Sequence, residues 1–243
     1  MGKADPSEAN RASHREAARP AGLRAVSLDE FTQILTAHRL YLETNRERGK
    51  RGNLSVTDLT SYDFSGADFR RIKLDHALLR NVNLAHANLK RANLIGADLR
   101  GACLAGADLG EARMSGANLE AAHLEAAVLV GVDLEFAVMT KTVLRQVRLR
   151  GADMSGVNLD GADLREADLR EVNLCGASLR QARLDHADLR AARLGGAFLN
   201  GASLREADLR SAYLRVAPDR YPTASGTCRQ RTSRWPMTRI SPC

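Results

Sequence analysis

Residues 87–101 read ANLKR-ANLIG-ADLRG. The same five-residue unit recurs on both sides of this stretch. Every fifth residue from Leu54 to Leu214 gives thirty-three positions, and all are Leu, Phe or Met. Phe64 and Phe69 stand near the start, and Met114, Met139 and Met154 lie in the middle. Two residues before each stands a small residue, usually Ala, as at Ala67, Ala77 and Ala87. Val82, Val132, Thr142 and Val172 replace it in places, and Tyr62 and Ile72 near the start. The residue just before the Leu is most often Asp or Asn, as at Asp58, Asn83 and Asp98. Two residues after it Gly is frequent, as at Gly96, Gly101 and Gly106.

A period of five matches neither the 3.6-residue helix nor the two-residue strand. A helix would smear these Leu around its circumference, and each Gly would weaken it by about 1 kcal/mol. A plain strand would send alternate Leu to opposite faces. The pattern is satisfied if each five residues turn one corner of a coil. Each Leu then points inward, Ala fills the space beside it, and Gly serves a turn that needs positive φ.

Tandem A-(D/N)-L-x-x, as in ADLRG, ANLIG and ADLRE, resembles the pentapeptide-repeat family. The resemblance spans residues 53–217. It implies an all-β solenoid, a right-handed quadrilateral β-helix with four units per coil. Thirty-three units then make about eight coils, a rod about 40 Å long at a strand spacing of about 4.8 Å. One coil cannot bury its Leu alone, because each is covered only by its neighbours. Each inward Leu contributes about 1.5–3 kcal/mol of burial before entropy. A polar residue at Leu104 or Leu164 is therefore expected to be costly. The backbone at each end of such a rod is unpaired and has to be covered.

The flanks differ in kind. Ser27-Leu28-Asp29-Glu30 reads as a capping box, with Val26 and Phe31 placed for a hydrophobic staple. Leu28, Phe31, Leu35, His38 and Leu42 follow at helical spacing. The expected organisation is a disordered segment 1–26, a helical cap 27–49 over the first coil, the β-helix 50–217 and a disordered basic tail 218–243. His38 is expected to pack within the helix. The 243-residue chain carries a net charge of +7, but residues 53–217 hold 21 basic and 21 acidic side chains. The excess belongs to the two ends, so nucleic acid is not an expected partner of the rod. No apolar run is long enough to cross a membrane. Residues 1–20 have no hydrophobic stretch, so no secretory leader is expected. A cytoplasmic location is expected.

Residues twenty apart stack on one face, so clusters can be tested by arithmetic. His76 and His86 fall on opposite sides, and His86 and His186 are five coils apart. Metal ligands must lie about 2 Å from one ion, so these cannot form a site. Cys103 and Cys175 are more than three coils apart, too far for a disulfide. Cys228 and Cys243 lie in the tail. Asp before Leu reads as a turn residue bonding local backbone. No catalytic residue, no metal ligand, no cofactor and no small-molecule substrate is expected.

Some members of the family that the repeat resembles protect DNA gyrase and are thought to mimic the charge of DNA. That role calls for an acidic face. The face of Phe69 carries 9 basic and 7 acidic residues, and the faces of Leu54 and Leu59 carry 4 and 4 each. The face of Phe64 carries 4 and 6. None has the uniform charge of a duplex, and no insertion loop breaks the repeat. Other members resemble delivered effectors. The reading favoured by the residues is a non-enzymatic interaction scaffold for a protein partner. Its candidate contact is an apolar belt within one coil, Val128, Val130, Phe136, Val138 and Val143, since exposed apolar patches mark contact sites. Phe198 and Tyr213 point to self-association nearer the C-terminal coil.

Overall fold

The computed structural model describes residues 22–24 and 26–214. The expected tail 218–243 and most of the expected segment 1–26 lie outside them. From Asn53 onward the chain forms parallel bridges between residues twenty apart. One such column runs Asn53, Lys73, Asn93, Arg113, Asp133, Asp153, Asn173, Arg193, Tyr213. Four columns of this kind exist, one for each unit of the coil, so the coil is four-sided.

The unit 97–101 shows how five residues satisfy five backbone donors. Ala97 N–H closes the corner onto Leu94 O at 3.0 Å, and Asp98 N–H reaches back to Ala77 O at 3.0 Å. Leu99 and Gly101 donate forward to Asn118 O at 2.7 Å and Glu120 O at 3.0 Å. The remaining N–H, of Arg100, is taken by the Asp98 carboxylate at 3.3 Å. Buried backbone polar groups must be paired, and this unit leaves none over. The Asp or Asn before each Leu therefore supplies the one acceptor that the ladder lacks.

The interior is built from the two small-and-large columns. Leu74, Leu84, Leu94, Leu104 and Leu164 are 0–1% exposed, with Ala77, Ala87, Ala97 and Ala107 equally buried beside them. Thr142 stands in the Ala column and satisfies its hydroxyl by donating to Leu119 O at 3.0 Å.

The backbone is left-handed at every fifth residue from Val56 to Ser211. Gly fills only some of these corners. Val56, His76, Phe136 and Lys141 adopt φ of 55–57° at others. Such a conformation costs about 1–2 kcal/mol for a residue with a Cβ. Each unit recovers this by burying a Leu worth about 1.5–3 kcal/mol and by donating three inter-coil bonds.

Among the described residues one helix, α1, spans Leu28–Glu43 and packs on the first coil. Ser27 caps it by accepting from Glu30 N–H at 3.1 Å. The reciprocal half of the capping box does not form, because the Glu30 carboxylate pairs with Arg24. Val26 and Phe31 both join the core. The Phe31 ring lies 5.6 Å from Tyr62 and 5.9 Å from Phe64, whose ring meets Phe69 at 5.1 Å. Aromatic rings thus fill the start of the core, where no earlier Leu layer exists. Arg24 pairs with Thr57 and donates its N–H to Val56 O at 2.7 Å. This adds a short strand to the starting edge.

The helix stops at Glu43, ahead of the expected boundary. Thr44 takes the cap, and Asn45 and Arg46 turn left-handed with φ of 49° and 80°. Gly49 follows with φ of 76°, pressed against the Ala37 carbonyl so closely that no Cβ fits. Lys50 N–H then bonds Ala37 O at 3.1 Å and leads the chain into the first coil.

Candidate functional site

The belt residues stand on the rungs of one coil but on different sides of it. Val128 and Val130 flank Leu129 on one face, Val138 precedes Met139 on another, and Val143 precedes Leu144 on a third. Phe136 occupies the corner between the faces of Leu134 and Met139. Phe136 is 65% exposed and Val130 38%, whereas Val128, Val138 and Val143 are half-buried. Each of these three Val is bracketed by polar neighbours in its column. Val128 bridges Asp108 and Arg148, Val138 bridges Asn118 and Asn158, and Val143 bridges His123 and Asp163. The apolar surface is therefore one coil high and spans three of its four faces, the fourth carrying Asp133 and Glu135. Phe136 with Val138 forms its most prominent part.

The three Val also remove a structural group. They stand where Asp or Asn would accept the N–H two residues on, as Asn118 does for Glu120 at 3.0 Å and Asn158 for Asp160 at 3.0 Å. Val130, Thr140 and Arg145 have no such acceptor from their own unit. Where Ser178 and Ser203 occupy this place, a carboxylate from the previous coil substitutes. Asp160 accepts from Arg180 N–H at 2.9 Å, and Asp185 from Arg205 N–H at 3.2 Å. The sequence pattern carried the signal for the missing acceptors but not for the substitutes, which come from twenty residues away.

Elsewhere the outer surface neutralises itself. Asp68–Arg70, Asp98–Arg100, Asp168–Arg170, Asp188–Arg190 and Asp208–Arg210 pair at 2.6–2.7 Å. In each, the carboxylate also accepts the backbone N–H of its Arg partner. Arg170 and Arg190 reach onward to Asp188 and Asp208 at 3.5 and 3.6 Å, linking successive coils. Such exposed pairs are worth about 0–1 kcal/mol each. Their effect on surface charge is larger, because each Arg arrives with its own counter-ion.

Asp98 shows the electrostatics most clearly. Burial opposes its ionisation, but the Arg100 and Arg80 guanidinium groups outweigh it and bring the carboxyl down to about 2. Asp208 also falls to about 2, held chiefly by Arg210. Glu135 moves the other way. Partial desolvation, with Asp153 and Asp133 nearby, raises it above its ordinary 4.5.

Among the described residues no three His, Cys, Asp or Glu side chains converge to hold a metal ion. His76 and His86 occupy separate corners, and Cys103 and Cys175, both partly exposed, are not joined in a disulfide. Arg80, Asn81, Arg100, Gly101, Glu120, Ala121 and Lys141 line an open, shallow depression of about 380 Å³ along one corner. Phe198 is 49% exposed and lies under the Arg180 guanidinium at 4.7 Å, and Tyr213 and Leu214 are 59% and 57% exposed. No helix among the described residues is long and apolar enough to cross a membrane.

No protein of curated function matches the chain. Among solved structures it is similar to HetL from the cyanobacterium Nostoc sp. strain PCC 7120, a pentapeptide repeat protein involved in heterocyst differentiation regulation. That match has 29% identity, covers 72% of this chain and 95% of that one, and has a TM-score of 0.28. A pentapeptide repeat protein of the Arabidopsis thaliana thylakoid lumen is 28% identical over 38% of this chain and 65% of its own, with a TM-score of 0.38. QnrB1, a plasmid-mediated fluoroquinolone resistance protein, is 14% identical over 65% of this chain and 93% of its own, with a TM-score of 0.37. The family model for pentapeptide repeats matches at residues 77–116, 117–156, 143–181, 158–195 and 182–215, more than half of the chain. With its unbroken five-residue period, its twenty-residue ladder and this match, the chain belongs to the pentapeptide repeat family.

Proposed function

We propose that the chain is a non-enzymatic interaction scaffold in the cytoplasm. It is a right-handed rod of about eight coils, closed at its starting end by α1, that presents a rigid outer surface to a protein partner. The observation that carries this reading is the way the unit spends its groups. The interior is filled by Leu and Ala, and the backbone donors go to the ladder and the Asp or Asn caps. The free resource is the outer face, and there the coil at 127–146 departs from the polar pattern with Val128, Val130, Phe136, Val138 and Val143. Apolar side chains that displace a useful hydrogen-bonding residue are the natural place for a contact.

The test is capture from host lysate on the immobilised full chain, beside the variant Val128→Asp with Val138→Asp. The expected result is a protein retained by the wild type and lost from the variant. Identical retention by both would remove the belt from the contact. Topoisomerase subunits among the retained proteins would favour a gyrase-directed role. Nothing retained at high bait loading would count against the scaffold reading.

A further inference from the structure

His38 sits where α1 meets the first coil. It is 1% exposed, and its Nδ1 accepts the Gly52 N–H at 3.2 Å. Its Nε2 is buried without a hydrogen-bond partner among the described residues. The ring stacks on Tyr41 with centroids 6.1 Å apart, and Gly52 is pressed between it and Ile72. Because Nδ1 receives a donor, it must carry the lone pair, and the neutral ring holds its proton on Nε2. A second proton has only Nδ1 to go to. There it would point an N–H at the Gly52 N–H, donor against donor. Protonation and this contact exclude one another.

The surroundings offer only partial relief to a charged ring. Asp68, the carboxylate that faces it from the first coil, is already held by Arg70 through Nε at 2.8 Å and Nη2 at 2.7 Å. Arg70 itself and Arg51 from the connecting segment add positive charge nearby. Burial, outweighing Asp68 and helped by Arg51 and Arg70, holds the imidazole below its ordinary value of 6.5. A His whose proton affinity is lower in the docked than in the free state favours docking at high pH. That advantage fades as the pH falls through 6.5.

We propose that His38 is a proton-operated latch. Neutral, it holds α1 on the first coil. Protonated at Nδ1, it lets go of Gly52, and α1 lifts from the starting edge of the β-helix. What is uncovered is the starting strand edge of the first coil beside Tyr62 and Phe64, a surface suited to pairing with another strand.

Amide hydrogen exchange on the full chain tests this, with rates corrected for the intrinsic effect of pH. Residues 28–43 are compared with a mid-rod reference, residues 100–140, between pH 7.5 and pH 5.0. Opening of 28–43 is expected to rise about tenfold below pH 6.5 while the reference stays constant. In His38→Asn the side-chain oxygen replaces Nδ1 as acceptor and does not titrate, so the rise is expected to vanish. A flat wild-type profile, or the same rise in His38→Asn, overturns the latch. Should His38→Asn fail to dock at neutral pH, the imidazole titration followed by NMR in the wild type decides. A midpoint below 6.5 that coincides with opening of α1 supports the latch, and a midpoint at or above 6.5 overturns it.

Discussion

The ring of Phe136 lies over Gly156 on the next coil. A Cβ built on Gly156 would stand 2.6 Å from Phe136 Cδ1 and 2.7 Å from Cε1. Both residues are left-handed corners, with φ of 56° and 65°. At this corner the exposed ring packs over a bare corner on the next coil, whereas at Arg91 over Glu111 two large side chains pair instead. Gly156→Ala should be destabilising through two separable terms, the left-handed Cβ at about 1–2 kcal/mol and displacement of the ring. Gly176→Ala isolates the first, since nothing lies within 4 Å of a Cβ there. Denaturant melts of Gly156→Ala, Gly176→Ala and Phe136→Ala with Gly156→Ala should give the largest loss for the first. Adding Phe136→Ala should bring Gly156→Ala down to the Gly176→Ala level. Equal losses for the two Gly variants would show that the ring contact contributes nothing.

Val138→Asp should not harm the fold. The new carboxylate stands where Asn118 and Asn158 stand in their units and can accept Thr140 N–H. A hydrogen bond of this kind contributes about 0.5–1.5 kcal/mol, so the melting temperature should hold or rise by a few degrees. A clear fall would mean that Val138 packs against the rod rather than awaiting a partner, and the capture experiment would then need a different variant.

Asp98 makes a prediction about acid. Its folded value, about 2, lies below its ordinary 3.8. Its contribution is therefore complete above pH 3.8 and is lost as the pH falls towards 2. Asp98→Asn keeps an acceptor for Arg100 N–H but gives up the charge pairing with Arg80 and Arg100. With the Arg partners 41–43% exposed, screening limits the loss to about 1 kcal/mol or less. Melting temperatures of the two proteins should differ near pH 6 and converge near pH 2. A constant gap would place the effect in packing.

Leu104→Ala should cost about 2–5 kcal/mol, the range for a fully buried Leu with neighbours that cannot collapse. Leu209 is only half-buried among the described residues, so Leu209→Ala should cost less. Chemical denaturation that ranks them the other way would mean that the last coil is covered more fully than the described residues show.

Much of this architecture is legible in the chain. The five-residue period gives the inward Leu column, the Ala beside it, and the twenty-residue stacking that brings Asp188 next to Arg170. It also gives the role of Asp and Asn, because a single local hydrogen bond decides it. What escapes the pattern is whatever the ladder imposes on a residue against its own preference. The left-handed corner at Phe136 or Lys141 follows from the coil, and neither residue type announces it. The capping box at Ser27 is half right for a related reason: Glu30 serves Arg24, a partner that the edge strand brings in. His38 reads as one more inward helix position, and its paired and unpaired nitrogens become distinct only once Gly52 is in place. The belt is legible as a list of residues, but the corners of the coil scatter it over three faces.

The twenty-residue ladder separates two kinds of sequence change. Removing or duplicating five residues would leave every Leu in an inward place, yet it would carry all downstream surface residues a quarter turn around the axis. Removing or duplicating twenty would change the length and leave each residue under its old neighbour. The core is thus indifferent to the angular arrangement of the exterior. Surfaces can be rotated against one another along the rod in steps of one unit, and a binding face that spans several coils is preserved only by changes made in whole coils.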